Sequence, residues 1–273
     1  MTEISSLKTP ILTVGIPFYN ATDPNQLRLA IDSIINQTLP ADEIHLIQDG
    51  NVGDKLEALV TEYQKKHTIV KIIKINQNQG LPYALNLSIL KTSTRYYARM
   101  DADDISHPER FKKQIEFLEN NPEISILGTW VEEFSDANQN SKVLRKMPTD
   151  LSKIKDLLHY RNPIIHPSVM FRHNVFAKIG LYDTSFLTAQ DLELWSRALK
   201  TNVGITNLPE VLLYYRVSEI ISKHSSWKRV IRQAKARYGY HTISPRLNFL
   251  KVAILLFHLL PYSIREWGHK NLR

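Results

Sequence analysis

The sequence predicts an α/β fold, a mostly parallel sheet flanked by helices and followed by a helical tail. Three observations carry this expectation. Strand-like apolar runs alternate with helical patterns through the first hundred or so residues. Those runs are almost continuously apolar, as strands buried on both faces are. From Ile221 onward the chain changes character and becomes basic and apolar together.

The elements follow in order. Ile11–Pro17 reads as a strand, and Asn25–Gln37 as a helix with Leu27, Ala30, Ile31 and Ile34 on one face. Glu43–Gln48 is a second strand, ending at Asp49-Gly50 and followed by a helix near Lys55–Lys66. Thr68–Ile75 is a third strand, and Asn78-Gln-Gly80-Leu-Pro82 opens the next helix with proline in its first turn. A strand from Tyr96 to Met100 runs into Asp101. Beyond it come a helix from Pro108 to about Asn120, a strand at Ile124–Trp130 and a hairpin around Asp136–Asn140. A helix near 150–159, a strand at Val169–Phe171, a helix at Asp191–Lys200 and a strand at Val211–Tyr215 complete the body. No internal repeat or low-complexity segment interrupts the series.

At 273 residues, with 43% hydrophobic and 23% charged positions, the chain is long enough to bury a sizeable core. It has no cysteine, which removes disulfides and thiolate metal sites and fits a reducing compartment. Met1–Pro10 is polar and carries Glu3, unlike a signal or transit peptide. The net charge of +8 is unevenly spread: Ile221–Arg273 holds 11 Lys/Arg and one acid, the preceding residues 24 bases and 26 acids. Residues 1–220 therefore read as one unit, and 221–273 as a tail suited to anionic partners.

Arg95-Tyr-Tyr-Ala-Arg-Met-Asp101-Ala-Asp103-Asp104 is the most informative stretch. An apolar strand stops at three carboxylates within four positions. Aspartate is rarely buried unless paired or bound to a cation, and in an open α/β sheet ligands sit at the carboxyl ends of strands. A hard divalent cation, Mg²⁺ or Mn²⁺, bridging to phosphates satisfies such a cluster. The competing reading makes Asp104 or Ser106 a cap for the helix opened by His107-Pro108-Glu109.

Other strand ends carry polar groups able to converge there. Gly15-Ile-Pro17-Phe-Tyr19-Asn20 presents an aromatic that can stack on a base or pack in the core. Asp49 precedes a turn glycine. Gln190-Asp191-Leu-Glu-Leu-Trp195 places an acid at a helix start, where it can be a functional group or an N-cap. There is no P-loop and no Gly-x-Gly-x-x-Gly, so ATP hydrolysis and nicotinamide chemistry find no support.

Across residues 11–216 the pattern resembles an inverting family 2 glycosyltransferase of the GT-A fold, the kind that builds bacterial capsule, O-antigen or lipooligosaccharide. Val14-Gly-Ile-Pro-Phe-Tyr-Asn20, Ala30–Thr38, Asn78–Asn86, Arg99-Met-Asp-Ala-Asp-Asp104, Asn162-Pro-Ile-Ile-His-Pro-Ser168, Asp191-Leu-Glu-Leu-Trp195 and Tyr214-Tyr-Arg216 carry the resemblance in order. It implies a Rossmann-like nucleotide-binding sheet and a metal-dependent transfer of a hexose from a nucleotide-diphospho-sugar, with UDP favoured. Pro17, Tyr19 and Asp49 would line the nucleobase pocket, Asp101 would contact the ribose, and Asp103 would hold Mn²⁺ or Mg²⁺ against the diphosphate. Asp191 would be the general base. Asp104, His166 and Trp195 are further pocket candidates, His166 serving there or bracing its loop.

The chain departs from that pattern in places. Gln48 and Gln190 stand where many relatives have acids, and Val217 and Ser218 follow Tyr-Arg where relatives often carry a metal-binding histidine, leaving His224 as the nearest candidate. Three alternatives compete with this reading. A haloacid dehalogenase-type phosphohydrolase also uses strand-Asp-x-Asp, but Ile105 stands where it needs Thr or Val. A nucleic-acid binder explains the basic tail and leaves the acids without a purpose. A non-catalytic sugar-nucleotide-binding protein keeps the site without turnover.

In the tail, Trp227, Val230, Ile231, Ala234 and Tyr238 fall on one helical face and Lys228, Arg232 and Lys235 opposite. Phe249–Leu260 is apolar almost all round yet shorter than the roughly 20 residues a span requires. The tail either lies on an anionic membrane surface or docks on the body; the first is expected. Together with the resemblance, that expectation implies a cytoplasmic protein on the inner face of the membrane, with an acceptor saccharide on a lipid carrier.

Overall fold

The computed structural model describes residues 11–136, 142–217 and 227–260, with Ile264. The amino-terminal half is built from β1 (Leu12–Phe18), α1 (Pro24–Ile35), β2 (Glu43–Asp49), α2 (Asp54–Lys66), β3 (Val70–Ile75), α3 (Leu81–Lys91) and β4 (Tyr96–Arg99). Then follow β5 (Ile105–Ser106), α4 (Arg110–Asn120), β6 (Ile124–Phe134), β7 (Val143–Arg145), α5 (Leu151–Leu158), β8 (Met170–Arg172), α6 (Val175–Ile179), α7 (Gln190–Lys200) and β9 (Gly204–Arg216). The tail supplies α8 (Trp227–Tyr238) and α9 (Pro245–Phe257).

Local chemistry explains the boundaries. Asp23 caps α1 by accepting the N–H groups of Asn25 and Gln26, and Pro24 stands at its first turn. The inward face of α1 is Leu27, Ala30, Ile31 and Ile34, as the spacing predicts. Gly80, at φ 87°, opens α3 from a conformation few other residues adopt.

The strands form one nine-stranded sheet of order β3-β2-β1-β4-β8-β6-β9-β5, with β7 paired to β6. Pairing is parallel from β3 through β4, and β6 and β9 are also parallel. β8 runs antiparallel to both neighbours, and the two-residue β5 pairs antiparallel with β9. The expected parallel sheet therefore occupies the amino-terminal half, and a mixed extension completes it. Residues 137–141, inside the expected hairpin, lie outside the described residues; the β6–β7 register, Val131 with Arg145 and Glu133 with Val143, is that of a hairpin.

The chain moves outward from β1 to β2 to β3, then returns to place β4 on the other side of β1. That reversal is a topological switch point, where a crevice opens beyond the carboxyl ends of β1 and β4. One core, holding Leu12, Val14, Ile16, Leu27, Ile31, Ile44 and Phe111, packs α1, α2 and α4 against the sheet. A second, holding Leu85, Ile89, Phe171, Phe176, Leu194 and Trp195, packs α3, α5, α6 and α7. The sheet is covered on both faces, so its apolar strands need no polar alternation.

The tail is partly integral to the body. α8 turns Val230, Ala236 and Arg237 inward and leaves Trp227, Ile231 and Tyr238 exposed. The apolar stripe read from the sequence is thus split, because the docked side is chosen by the surface α7 offers. In α9 the buried residue is Lys251, whose Nζ donates to the carbonyl of Tyr240 at 2.7 Å and lies over the Tyr238 ring. Phe249, Val252 and Leu256 are exposed. Among the described residues no helix is long and apolar enough to cross a membrane.

Candidate active site

A cleft of about 480 Å³ opens at the switch point, within the size range of small-molecule sites. Pro17 and Tyr19 after β1, Asp49 at the end of β2, Asn78 and Gly80 before α3, and Asp101 and Asp103 after β4 line it. Five of the sequence-predicted residues therefore meet in one crevice. Tyr19 is 52% exposed, which favours a face open for stacking over core packing. Asp49 is buried and uses one carboxylate oxygen for the N–H of Gln79 and the other for that of Gly80, each at 2.8 Å. It therefore braces the loop that forms the cleft wall, and Asn78 adds a bond to its carbonyl at 3.3 Å.

The acidic cluster has the geometry a cation site requires. Asp101, Asp103 and Asp104 each offer a carboxylate oxygen, and these lie within 4.8 Å of one another. Asp104 is fully buried; its Oδ1 accepts the N–H of Arg216 at 2.8 Å, while Oδ2 has no hydrogen-bond partner. Burial, reinforced by Asp101, raises Asp103 above the ordinary carboxylate range and Asp104 well above it. None of these acids caps the next helix: Glu109 holds the N-cap position of α4, and Ser106 lies in β5. A buried oxygen without a partner, beside two more carboxylates facing a cleft, fits a hard divalent cation.

Two arginines frame the cluster. Arg216, at the end of β9, donates through Nε to the carbonyl of Asp103 at 2.7 Å and through Nη1 to Asp136. Arg99, at the end of β4, is 2% exposed and donates through Nη2 to Asp101, its Nε and Nη1 lacking partners. Its positive charge acts on Asp103 and Asp104 and also on Asp191, so one guanidinium links the acidic cluster to α7.

Asp191 is the second residue of α7, behind Ala189, whose φ of 63° is left-handed. That conformation costs a non-glycine residue on the order of 1–3 kcal/mol and is held by its surroundings. Asp191 is not the N-cap; its Oδ1 accepts the N–H of Leu192 at 2.9 Å and its Oδ2 accepts Nδ2 of Asn162. Burial raises its pKa, opposed by those bonds and by Arg99.

The remaining candidates lie beneath this surface. His166 is buried and its Nε2 bonds the Tyr182 hydroxyl at 2.8 Å, with burial holding the ring well below the usual histidine range. This bond ties its loop to Tyr182. Trp195 is 0% exposed and donates its indole N–H to Asn162 Oδ1 at 3.1 Å. Asp104 forms the floor of the cluster. His224 lies outside the described residues. Sequence reading did not single out Arg99, Asn162 or Arg216 as site residues, though each stands within a quoted motif.

A crevice at the switch point, lined by Asp101 and Asp103 with buried Asp104 beneath them, is where an open α/β sheet receives its ligand. The chain belongs to glycosyl transferase family 2, whose model matches residues 13–180. It is 34% identical over 221 residues, 81% of this chain and 82% of the relative, to the amylovoran biosynthesis glycosyltransferase AmsE of Erwinia amylovora. It is 28% identical, over 97% of both chains, to the UDP-Gal:alpha-D-GlcNAc-diphosphoundecaprenol beta-1,3-galactosyltransferase of Escherichia coli. The fold is shared with S. aureus TarS in complex with UDP-GlcNAc, at a TM-score of 0.68 and 15% identity over 96% of this chain and 76% of that one. It is also shared with a mannosyltransferase from Pyrobaculum calidifontis in complex with GDP-Man and Mn²⁺, at a TM-score of 0.63 and 17% identity over 95% and 73%.

Proposed function

We propose that this chain is a metal-dependent inverting hexosyltransferase that moves a sugar from a UDP-sugar to a saccharide on a lipid carrier, in bacterial surface polysaccharide synthesis. The observation that carries the reading is the unpartnered buried oxygen of Asp104 within a three-carboxylate cluster facing the cleft. Tyr19 offers its exposed ring to the nucleobase, and Asp49 holds the wall against which base and ribose lie. Asp101 would contact the ribose, and Asp103 with Asp104 would hold Mn²⁺ or Mg²⁺. When bound, the cation offsets the charge that builds on the departing diphosphate.

Asp191 is the general base. It takes the proton of the acceptor hydroxyl as that oxygen bonds the anomeric carbon, while the carbon–phosphate-oxygen bond breaks and its electron pair leaves with the nucleoside diphosphate. A single displacement turns an α-linked donor into a β-glycoside. AmsE, named for amylovoran biosynthesis, and the galactosyltransferase, named for an alpha-D-GlcNAc-diphosphoundecaprenol, support the choice of acceptor class.

The tail binds the cytoplasmic face of the membrane. Trp227, Ile231, Phe249 and Leu256 stay exposed while Lys228 and Lys235 supply positive charge on α8, a combination that favours an anionic interface. Incubating the enzyme with UDP-hexoses and synthetic diphospholipid-linked monosaccharides, then reading the anomeric coupling of the product by NMR, tests the reaction. A β-linked product supports it; an α-linked product from an α-donor rules out the single displacement.

A further inference from the structure

Asn162, in the turn between α5 and β8, makes hydrogen bonds that admit one orientation. Its Oδ1 receives the indole N–H of Trp195 at 3.1 Å and the N–H of Ile164 at 3.2 Å. Both are donors only, so the carbonyl end of the amide faces them and the NH₂ end faces Asp191, where Nδ2 donates to Oδ2. Trp195 cannot easily move: it is fully buried, stacked on Phe171 at 6.0 Å and in edge contact with His166 at 6.0 Å. The other end of the turn is also fixed, because Asn207 Nδ2 donates to the carbonyl of Pro163 at 3.0 Å.

We propose that Asn162, locked in one amide orientation by Trp195 and Ile164, is the positioning residue that aims Asp191 at the acceptor. The inference rests on Asp191 being the base and adds what holds it. With Leu192 N–H on Oδ1 and Asn162 on Oδ2, the carboxylate cannot rotate without losing one bond. Each oxygen keeps a lone pair for an incoming hydroxyl. The charged and titratable groups around it are Arg99 from β4, Arg237 from α8, and Tyr182, with His166 bonded to Tyr182 behind. The two guanidiniums favour the ionised acid from a distance. Asn162 alone among these is hydrogen-bonded to it through a side chain with a fixed direction.

The test follows Asp191 directly in the full chain. Aspartate side chains labelled with ¹³C at the carboxyl carbon are titrated by NMR, and the Asp191 signal is assigned by its disappearance in Asp191→Asn. Removing the Asn162 bond favours the protonated acid, so in Asn162→Ala the midpoint should rise by about one pH unit. Trp195→Phe, which frees one side of the amide, should move it the same way by less. Slow hydrolysis of UDP-galactose, UDP-glucose and UDP-GlcNAc should fall about tenfold or more in kcat, recovering partly at higher pH, with KM little changed. A residue that only supports the fold lowers Tm and leaves the midpoint in place. If both variants keep the wild-type midpoint the proposal is wrong, and should Asn162→Ala fail to fold, Trp195→Phe alone decides it. Near-normal turnover in Asp191→Asn overturns the base reading instead, an outcome separate from the midpoint measurement.

Discussion

At the scale of single residues, opposing effects are balanced on Asp191. Burial pushes its pKa up, while the Leu192 N–H, Arg99 and Asn162 pull it down, and burial is the largest. Only the ionised form accepts a proton, so kcat should rise with pH through a midpoint above the ordinary aspartate value of about 3.9. Asp191→Asn should retain donor binding while lowering transfer by about 10²–10⁴-fold, measured as turnover against calorimetric donor affinity. The acids themselves were legible in the sequence, because carboxylates at strand and helix ends stand out against apolar neighbours. Their supports were not. Asp104 accepts from Arg216 across 112 positions, and Asn162 reaches Asp191 across 29, separations that periodicity does not encode.

Among elements, the site depends on how closely β6 and β9 approach. Gly128 of β6 is paired with Asn207 of β9. A Cβ there would stand 2.3 Å from Asn207 Oδ1 and 2.8 Å from Ile164 Cγ2. Gly128→Ala must therefore shift a side chain bonded to the carbonyls of Pro148 and Pro163, and with it the turn that carries Asn162. A loss of about 1–3 kcal/mol in thermal or urea unfolding is expected, with a fall in kcat while donor binding holds. The amino-terminal strands and helices were readable to within two residues because apolar faces and capping signals agree there. The short β5 and α6 were not, since two or five residues hold no period to detect. β9 begins seven residues before its predicted start because its first half reads polar, Asn207 and Thr206 being buried through side-chain bonds to backbone carbonyls.

Over the whole molecule, the neutral body and basic tail are joined more tightly than composition suggests. α8 buries Arg237, whose Nη1 donates to the carbonyl of Leu158 at 3.1 Å, and Tyr240 stacks on His159 at 5.5 Å. Truncating the tail would therefore disturb the body, and exposed positions make a cleaner test of membrane binding. Trp227→Ser, Phe249→Ser and Leu256→Ser together should release the protein from vesicles containing phosphatidylglycerol and leave Tm almost unchanged. Equal sedimentation of the triple variant and the wild type would contradict an apolar membrane contact. Composition alone showed that the tail was basic and apolar; which side faces outward is set by its docking on α7, and that required the structure.

The proposed role of the carboxylate cluster is to bind a sugar nucleotide through a divalent cation. Titration calorimetry with a panel of nucleotide sugars, first in Mn²⁺ and then in EDTA, tests it most directly. One UDP-sugar should bind in Mn²⁺ and lose its affinity in EDTA, and Asp103→Ala should not bind it in either. Donor binding that is equally tight in EDTA, or that survives Asp103→Ala, would rule out a metal-bridged donor at this cluster.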